Sequence, residues 1–148
     1  MLGHVNALLL DNQVCFAVHA AARAMDGVYR RELAELGLTY PQYLVMLVLW
    51  ERDQVTVKEL GAALRLDSGT LSPLLKRLEA AGFVRRERSA SDERSVLVRL
   101  TEQGTELRQA ATRVPGRILE ATGLELSEVL ELSGTLTRMT RSLTQAVS

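Results

Sequence analysis

The sequence predicts a mostly α-helical chain carrying one small β-hairpin, and three observations predict it. Apolar residues recur at helical spacing through most of the 148 residues, 47% of which are hydrophobic and only 4% aromatic. The stretch Val55–Leu100 runs as a short amphipathic segment, a tight turn and a second helical pattern closed by Gly82. Two short alternating segments around a polar tip complete it. Toward the end, Leu132, Leu136, Met139 and Leu143 fall at steps of four, three and four, a packing seam. The middle stretch reads as a winged helix-turn-helix, which places one helix in a DNA groove and a hairpin beside it. The outer segments read as N- and C-terminal dimerisation helices, about 8–36 and 101–148, around a DNA-binding part of about 54–100, all in one domain of 1–148.

The elements follow in order. Asp11 or Asn12 is placed to cap a first helix reaching about Leu36, with Gly37 ending it. Thr39 or Tyr40 leads a second helix, with Pro41 in its first turn, to about Arg52. Thr56 caps a third, Val57–Leu64, and Arg65–Asp67 make the turn. The fourth begins near Ser68, with either Ser68 or Thr70 as its cap. The choice decides whether Pro73 strains the helix or falls harmlessly in its first turn. Phe83–Arg88 and Ser95–Leu100 alternate as strands, with Val84, Val96, Val98 and Leu100 inward. Thr101 caps a fifth helix running through Leu107, Ala111, Val114 and Ile118, bent at Pro115 and broken by Gly123. Ser127 caps a sixth.

The formal net charge is zero, but the charge is unevenly spread. Residues 65–99 hold eight Lys/Arg against five Asp/Glu, and both flanks are net negative. Ser68, Thr70 and Ser72 put short hydroxyls at the start of the fourth helix, and Lys76 and Arg77 follow. This set suits base edges and phosphates. Arg85 or Arg86, with Arg88 and Arg99, would face water from the hairpin, and Arg86 and Arg88 are taken as DNA contacts. Arg94 leaves its tip toward a minor groove, with Asp92 placed to orient its guanidinium. One reading head covers few base pairs, so a homodimer on a near-palindromic double-stranded operator is expected, with half-sites about 34 Å apart.

Other function classes leave no mark. No apolar run approaches the ~20 residues of a membrane span, and the N-terminus lacks a basic leader. No Gly-rich phosphate loop, metal-ligand cluster or nucleophile elbow is present, so no enzyme, metal or cofactor is expected. A single cysteine, Cys15, excludes an intrachain disulfide and fits a reducing cytoplasm.

A lone cysteine among Val14, Phe16, Ala17 and Val18 is ordinarily an inert core residue. Two features oppose that reading. Cys15 falls in the first turn of its helix, where the helix dipole favours a thiolate. Tyr29 and Tyr40 supply phenolic donors in a chain with three tyrosines. Cys15 and Tyr29 lie 14 residues apart on one helix, about 21 Å, so any contact between them must come from a second chain. Phe16, Val18, Met46 and Trp50 could wall an apolar sensor pocket, although plain core is the simpler role for each. His19, one turn after Cys15, either packs or pairs with the thiolate; packing is the simpler reading.

The run LDSGTLSPLLKRLEAAGFVRRERSASDERSVLVRLTEQG (Leu66–Gly104) resembles the MarR family of winged-helix repressors, most closely in DERS (Asp92–Ser95) and LTEQG (Leu100–Gly104). DNQVCFAVHAAARAM (Asp11–Met25) and LTYPQYLVMLVLWE (Leu38–Glu51) are similar to the subgroup that senses organic hydroperoxides through a cysteine. The resemblance spans about residues 8–143. It implies that Tyr29 and Tyr40 hydrogen-bond the cysteine of the opposite chain, and that oxidation of Cys15 releases the operator. The second cysteine that some relatives use is absent, and His19 stands where relatives often carry tyrosine. An oxidised Cys15 would therefore pair with a low-molecular-weight thiol, cyclise or over-oxidise. A MarR-type regulator answering a non-oxidant ligand, such as a phenolic compound, is the alternative.

Overall fold

The computed structural model describes residues 6–92 and 94–148. The chain divides into two compact units, Met1–Thr112 and Arg113–Ser148. The first holds helices α1 (Val14–Leu33), α2 (Tyr40–Arg52), α3 (Val57–Leu64), α4 (Ser68–Ala80) and α5 (Glu102–Ala111) and strands β1 (Gln54–Thr56), β2 (Val84–Arg88) and β3 (Val96–Leu100). The second holds α6 (Val114–Thr122) and α7 (Leu126–Ala146).

The fold is the mostly helical one with a small hairpin wing, and four local details differ from expectation. Asp11 and Asn12 do not cap α1; they form a short 3-10 turn, Leu10–Asn12, and Gln13 is the cap residue. Neither Ser68 nor Thr70 caps α4. Asp67 does, its carboxylate accepting from the Thr70 backbone N–H at 2.7 Å. Pro73 therefore sits inside the helix, on its exposed face, where water can reach the Gly69 carbonyl left without a donor. The expected fifth helix is two helices interrupted at Thr112–Arg113. Pro115 has no N–H to return to Ala111, and its ring cannot pass that carbonyl. Glu125, not Ser127, caps the last helix, through a reciprocal pairing with Glu128.

Elsewhere the local chemistry acts as read. Thr39 with Gln42 and Thr56 with Glu59 form capping boxes, and Gly37 ends the first helical stretch at φ 68°. β1 adds a third strand that alternation does not signal. The antiparallel order is β1-β3-β2, with Val55 opposite Val98 and Val84 opposite Leu100. These four side chains close over α3 and α4, where Leu60, Leu71, Leu75 and Leu78 are almost completely buried. Gly104 explains how α5 reaches the root of the wing. A Cβ there would collide with the Phe83 carbonyl oxygen, so only glycine permits the approach.

Among the described residues, no single helix is long and apolar enough to cross a membrane.

Candidate functional site

The reading head is built from α3, a left-handed turn and α4. Arg65, at φ 58°, closes α3 while the Leu66 N–H returns to the Gly61 carbonyl at 2.9 Å. Asp67 then starts α4 at once. Leu71, Leu74, Leu75 and Leu78 hold one face of α4 to the core, leaving Ser68, Thr70, Ser72, Lys76 and Arg77 exposed on the other. A groove of about 910 Å³ runs between α3, α4 and the wing, bordered by Ser68, Ser72, Arg86, Asp92 and Arg94.

The wing cations differ in what holds them. Arg94 is exposed beside Asp92, whose carboxylate accepts from the Arg94 backbone N–H at 3.0 Å. Asp92 thus fixes the backbone from which Arg94 projects. The Arg86 guanidinium turns to Glu79 on α4, 3.1 Å away. Arg99 pairs with Glu87 at 3.3 Å and donates to Gln54 at 2.8 Å. Arg88 is exposed near the end of β2.

The second constellation is aromatic. The Tyr29 ring lies 4.6 Å from Tyr40 and 5.9 Å from Tyr43, centroid to centroid, which gathers all three tyrosines of the chain. Burial, then the neighbouring phenols Tyr40 and Tyr43, push the Tyr29 hydroxyl up to about 12. Burial and Asp26 raise Tyr40; burial and Tyr40 raise Tyr43. The phenols therefore remain hydrogen-bond donors at ordinary pH. Sequence reasoning missed Tyr43, although it closes the TYPQY run. Its signal is its place three residues after Tyr40, on the same face of α2. A cleft of about 380 Å³ opens beside Tyr40, bordered by Asp26, Arg30 and Thr39.

Cys15 is exposed in the first turn of α1. That helix is unbroken to Leu33, so Cys15 and Tyr29 of one chain stand about 21 Å apart. Phe16 and His19 are exposed nearby on the same helix, and the His19 ring Nδ1 bonds the Cys15 carbonyl oxygen at 2.7 Å. Met46 is completely buried in the core. Trp50 stacks edge-on to Tyr43 and donates its indole N–H to the Gly104 carbonyl at 2.9 Å, tying α2 to α5. Within one chain the residues expected around the sensor lie in two places: Phe16, Val18 and His19 follow Cys15 on α1, while Met46 and Trp50 lie on α2. Among the described residues no group of His, Cys, Asp and Glu could hold a metal ion.

A helix-turn-helix with a hairpin wing and a cation-bearing outer face defines a winged-helix DNA-binding protein. Residues 28–111 match the family model of the SarA/Rot transcriptional regulators. The chain is 45% identical over 136 residues to the organic hydroperoxide resistance transcriptional regulator of Bacillus subtilis, covering 92% of each chain. It is 52% identical over 130 residues to the HTH-type transcriptional regulator TtmR of Methylorubrum extorquens, covering 88% of this chain and 67% of that one. Reduced AbfR bound to DNA has the same fold, with a TM-score of 0.81 at 35% identity over 94% of this chain and 95% of that one. The chain belongs to the MarR/SarA family of winged-helix transcriptional regulators. It is a DNA-binding regulator of transcription, and its relatives are regulators and not enzymes.

Proposed function

We propose that this regulator is a homodimeric repressor that senses organic hydroperoxides through Cys15 and then releases a near-palindromic operator. One observation carries the reading. An exposed cysteine stands at the start of an unbroken helix, its Cα about 21 Å from that of Tyr29 in its own chain, and the Tyr29 ring is paired with that of Tyr40. A second copy brings its own phenols to that sulfur, and two sensors then share one seam. The likeness to the hydroperoxide resistance regulator of Bacillus subtilis supports the same oxidant class.

The chemistry is a two-electron oxidation. The Cys15 thiolate attacks the distal oxygen of ROOH; the S–O bond forms as the O–O bond breaks. The alkoxide leaves and takes a proton as ROH, giving the sulfenic acid. With no second cysteine in the chain, a low-molecular-weight thiol condenses with the sulfenic acid, forming a mixed disulfide and releasing water. Either product is bulkier than a thiol and changes the partners open to Tyr29 and Tyr40. Ring stacking from Tyr29 through Tyr43 to Trp50, and the Trp50 bond to Gly104 beside the wing root, give that change a packed route to the reading head.

A gel shift on the DNA upstream of the chain's own coding sequence tests this. Cumene hydroperoxide should release the DNA and dithiothreitol should restore binding. Cys15→Ser should bind equally well and stay bound. Release of the Cys15→Ser protein by hydroperoxide, or no release of the unsubstituted one, overturns the reading.

A further inference from the structure

We infer that Glu79 is a positioning residue for DNA binding, and that Arg86 acts through it as a strut between recognition helix and wing and not as a phosphate ligand. Glu79 lies in the last turn of α4, and Arg86 is the third residue of β2. The sheet order β1-β3-β2 makes β2 an edge strand, with every second backbone N–H turned away from β3. Arg86 supplies one such N–H, and Glu79 Oε2 accepts it at 2.9 Å. The other carboxylate oxygen accepts from Arg86 Nε at 3.3 Å and Nη2 at 3.1 Å. One side chain of α4 thus holds both the backbone edge and the guanidinium of β2.

The arrangement has geometric consequences. Three hydrogen bonds on one carboxylate fix position and orientation, which a single ion pair does not. Between them the chain turns through Gly82, at φ 87°, so the strut spans the bend that sets the angle between α4 and the wing. Arg86 also borders the groove in which Ser72 of α4 faces Arg94 of the wing tip. A shift of β2 along α4 would change the reach of Arg94 while leaving α4 seated on its leucines.

Charge counting and geometry predict opposite signs for one substitution. A carboxylate on a DNA-facing surface repels phosphate, so deleting it should tighten binding if Arg86 were a free phosphate ligand. As a strut, its deletion weakens binding, because the wing loses its place. The inference rests on the assignment of Lys76 to the recognition helix contact and Arg94 to the wing contact, and the test includes both.

The full-length chain would first select its tightest duplex from a random-sequence pool, and that duplex would then serve every titration. Glu79→Ala should bind about tenfold more weakly. Its plot of log affinity against log salt should become shallower by about one in slope for each phosphate that the wing can no longer reach. Arg86→Ala should match it. Arg94→Ala, costing about tenfold alone, should cost less than about threefold in the Glu79→Ala background, while Lys76→Ala keeps its full cost there. If Glu79→Ala does not fold, the near-isosteric Glu79→Gln should weaken binding in the same direction by less. Equal or tighter binding by the Glu79 variants overturns the inference, as does a Lys76→Ala cost that shrinks together with that of Arg94→Ala. No effect of Arg94→Ala or Lys76→Ala alone would instead show that the DNA face itself was misassigned.

Discussion

The winged helix and the long flanking helices handle their apolar surface in opposite ways. In the winged helix, Val55, Leu60, Leu71, Leu78, Val84 and Val98 are each at most 2% exposed. Thr56, Asp67 and Thr101 cap its helices from within the same chain. In α7 no residue is buried, and the seam residues Leu132 and Leu143 stand 43% and 60% exposed. The N-terminal half of α1 is similar, with Val14 61% exposed and Phe16 43%. One region completes its core alone. The other presents amphipathic faces that a single chain leaves uncovered, which is how helices built for a second copy look when seen singly. Cys15 lies among the uncovered residues and the exposed side chains of α4 lie in the completed region, so under the proposed function a signal between them passes through a second copy.

The sharpest way to break that contrast is to remove one leucine from each region. Leu78→Ala should cost about 2–5 kcal/mol, seen as a fall in urea midpoint that does not depend on protein concentration. Leu143→Ala should cost the single chain little, yet its melting temperature should become strongly concentration-dependent as the dimer weakens. Sedimentation at several loadings reads the second effect directly. Concentration-independent losses of equal size at both positions would erase the distinction.

The root of the wing offers the next effect. Gly104→Ala drives a methyl into the Phe83 carbonyl and loosens the Trp50 bond to the same residue, at about 1–3 kcal/mol. Trp50 is the only tryptophan, so its emission reports the movement without a label. A shift toward the spectrum of solvated indole, together with a lower melting temperature, is expected. An unchanged spectrum would mean that α5 can retreat from Phe83 without disturbing α2.

Much of this is legible in the residues. The helix-turn-helix, the hairpin and the capping roles of Thr39, Thr56 and Thr101 follow from short-range chemistry, which a sequence displays. β1 does not, because Gln54-Val55-Thr56 is too short to alternate, and its pairing with β3 spans more than forty residues. The caps of α1, α4 and α7 fall one to three residues from their expected places for a similar reason. Ser68, Thr70 and Asp67 are all good caps, and packing of the leucines decides the phase among them. The Glu79–Arg86 strut is invisible in sequence, since an arginine on an exposed strand looks like any DNA contact until its partner is known. Clustering of Tyr29 with Tyr40 and Tyr43 depends on how α1 and α2 pack, which no local pattern states.

The tyrosine cluster between α1 and α2 carries a pH signature. Tyr29 has its folded value raised to about 12 from the ordinary 10.0 of a free phenol. Its neutral form is therefore favoured by folding. That contribution is fully present below pH 10.0 and is lost as pH rises toward the folded value. Tyr29 is half-buried, so the loss is smaller than a fully shielded shift of that size would give. An ultraviolet titration should show tyrosinate forming late, and Tyr29→Phe should flatten the alkaline fall in melting temperature. Early ionisation of all three phenols would mean that the cluster is open to water.

The smallest effect tests whether the head is as self-sufficient as it looks. Asp67 is fully at the surface and gives α4 its start by one bond to the Thr70 N–H. Asp67→Ala should lower the melting temperature slightly, and Asp67→Ser should recover most of the loss, because a hydroxyl can accept the same bond. The Thr70 backbone N–H holds the Asp67 carboxyl below its ordinary 3.8. The cap is therefore intact above that pH and fades only as pH falls through the lower folded value. Comparing the two variants near neutrality and in acid separates hydrogen bond from charge. The Asp67→Ser protein should lose the acid dependence yet keep the stability. Should Asp67→Ala instead unfold the head, α4 would owe its place to its cap and not to its leucines, and the completed region would be less complete than its burial implies.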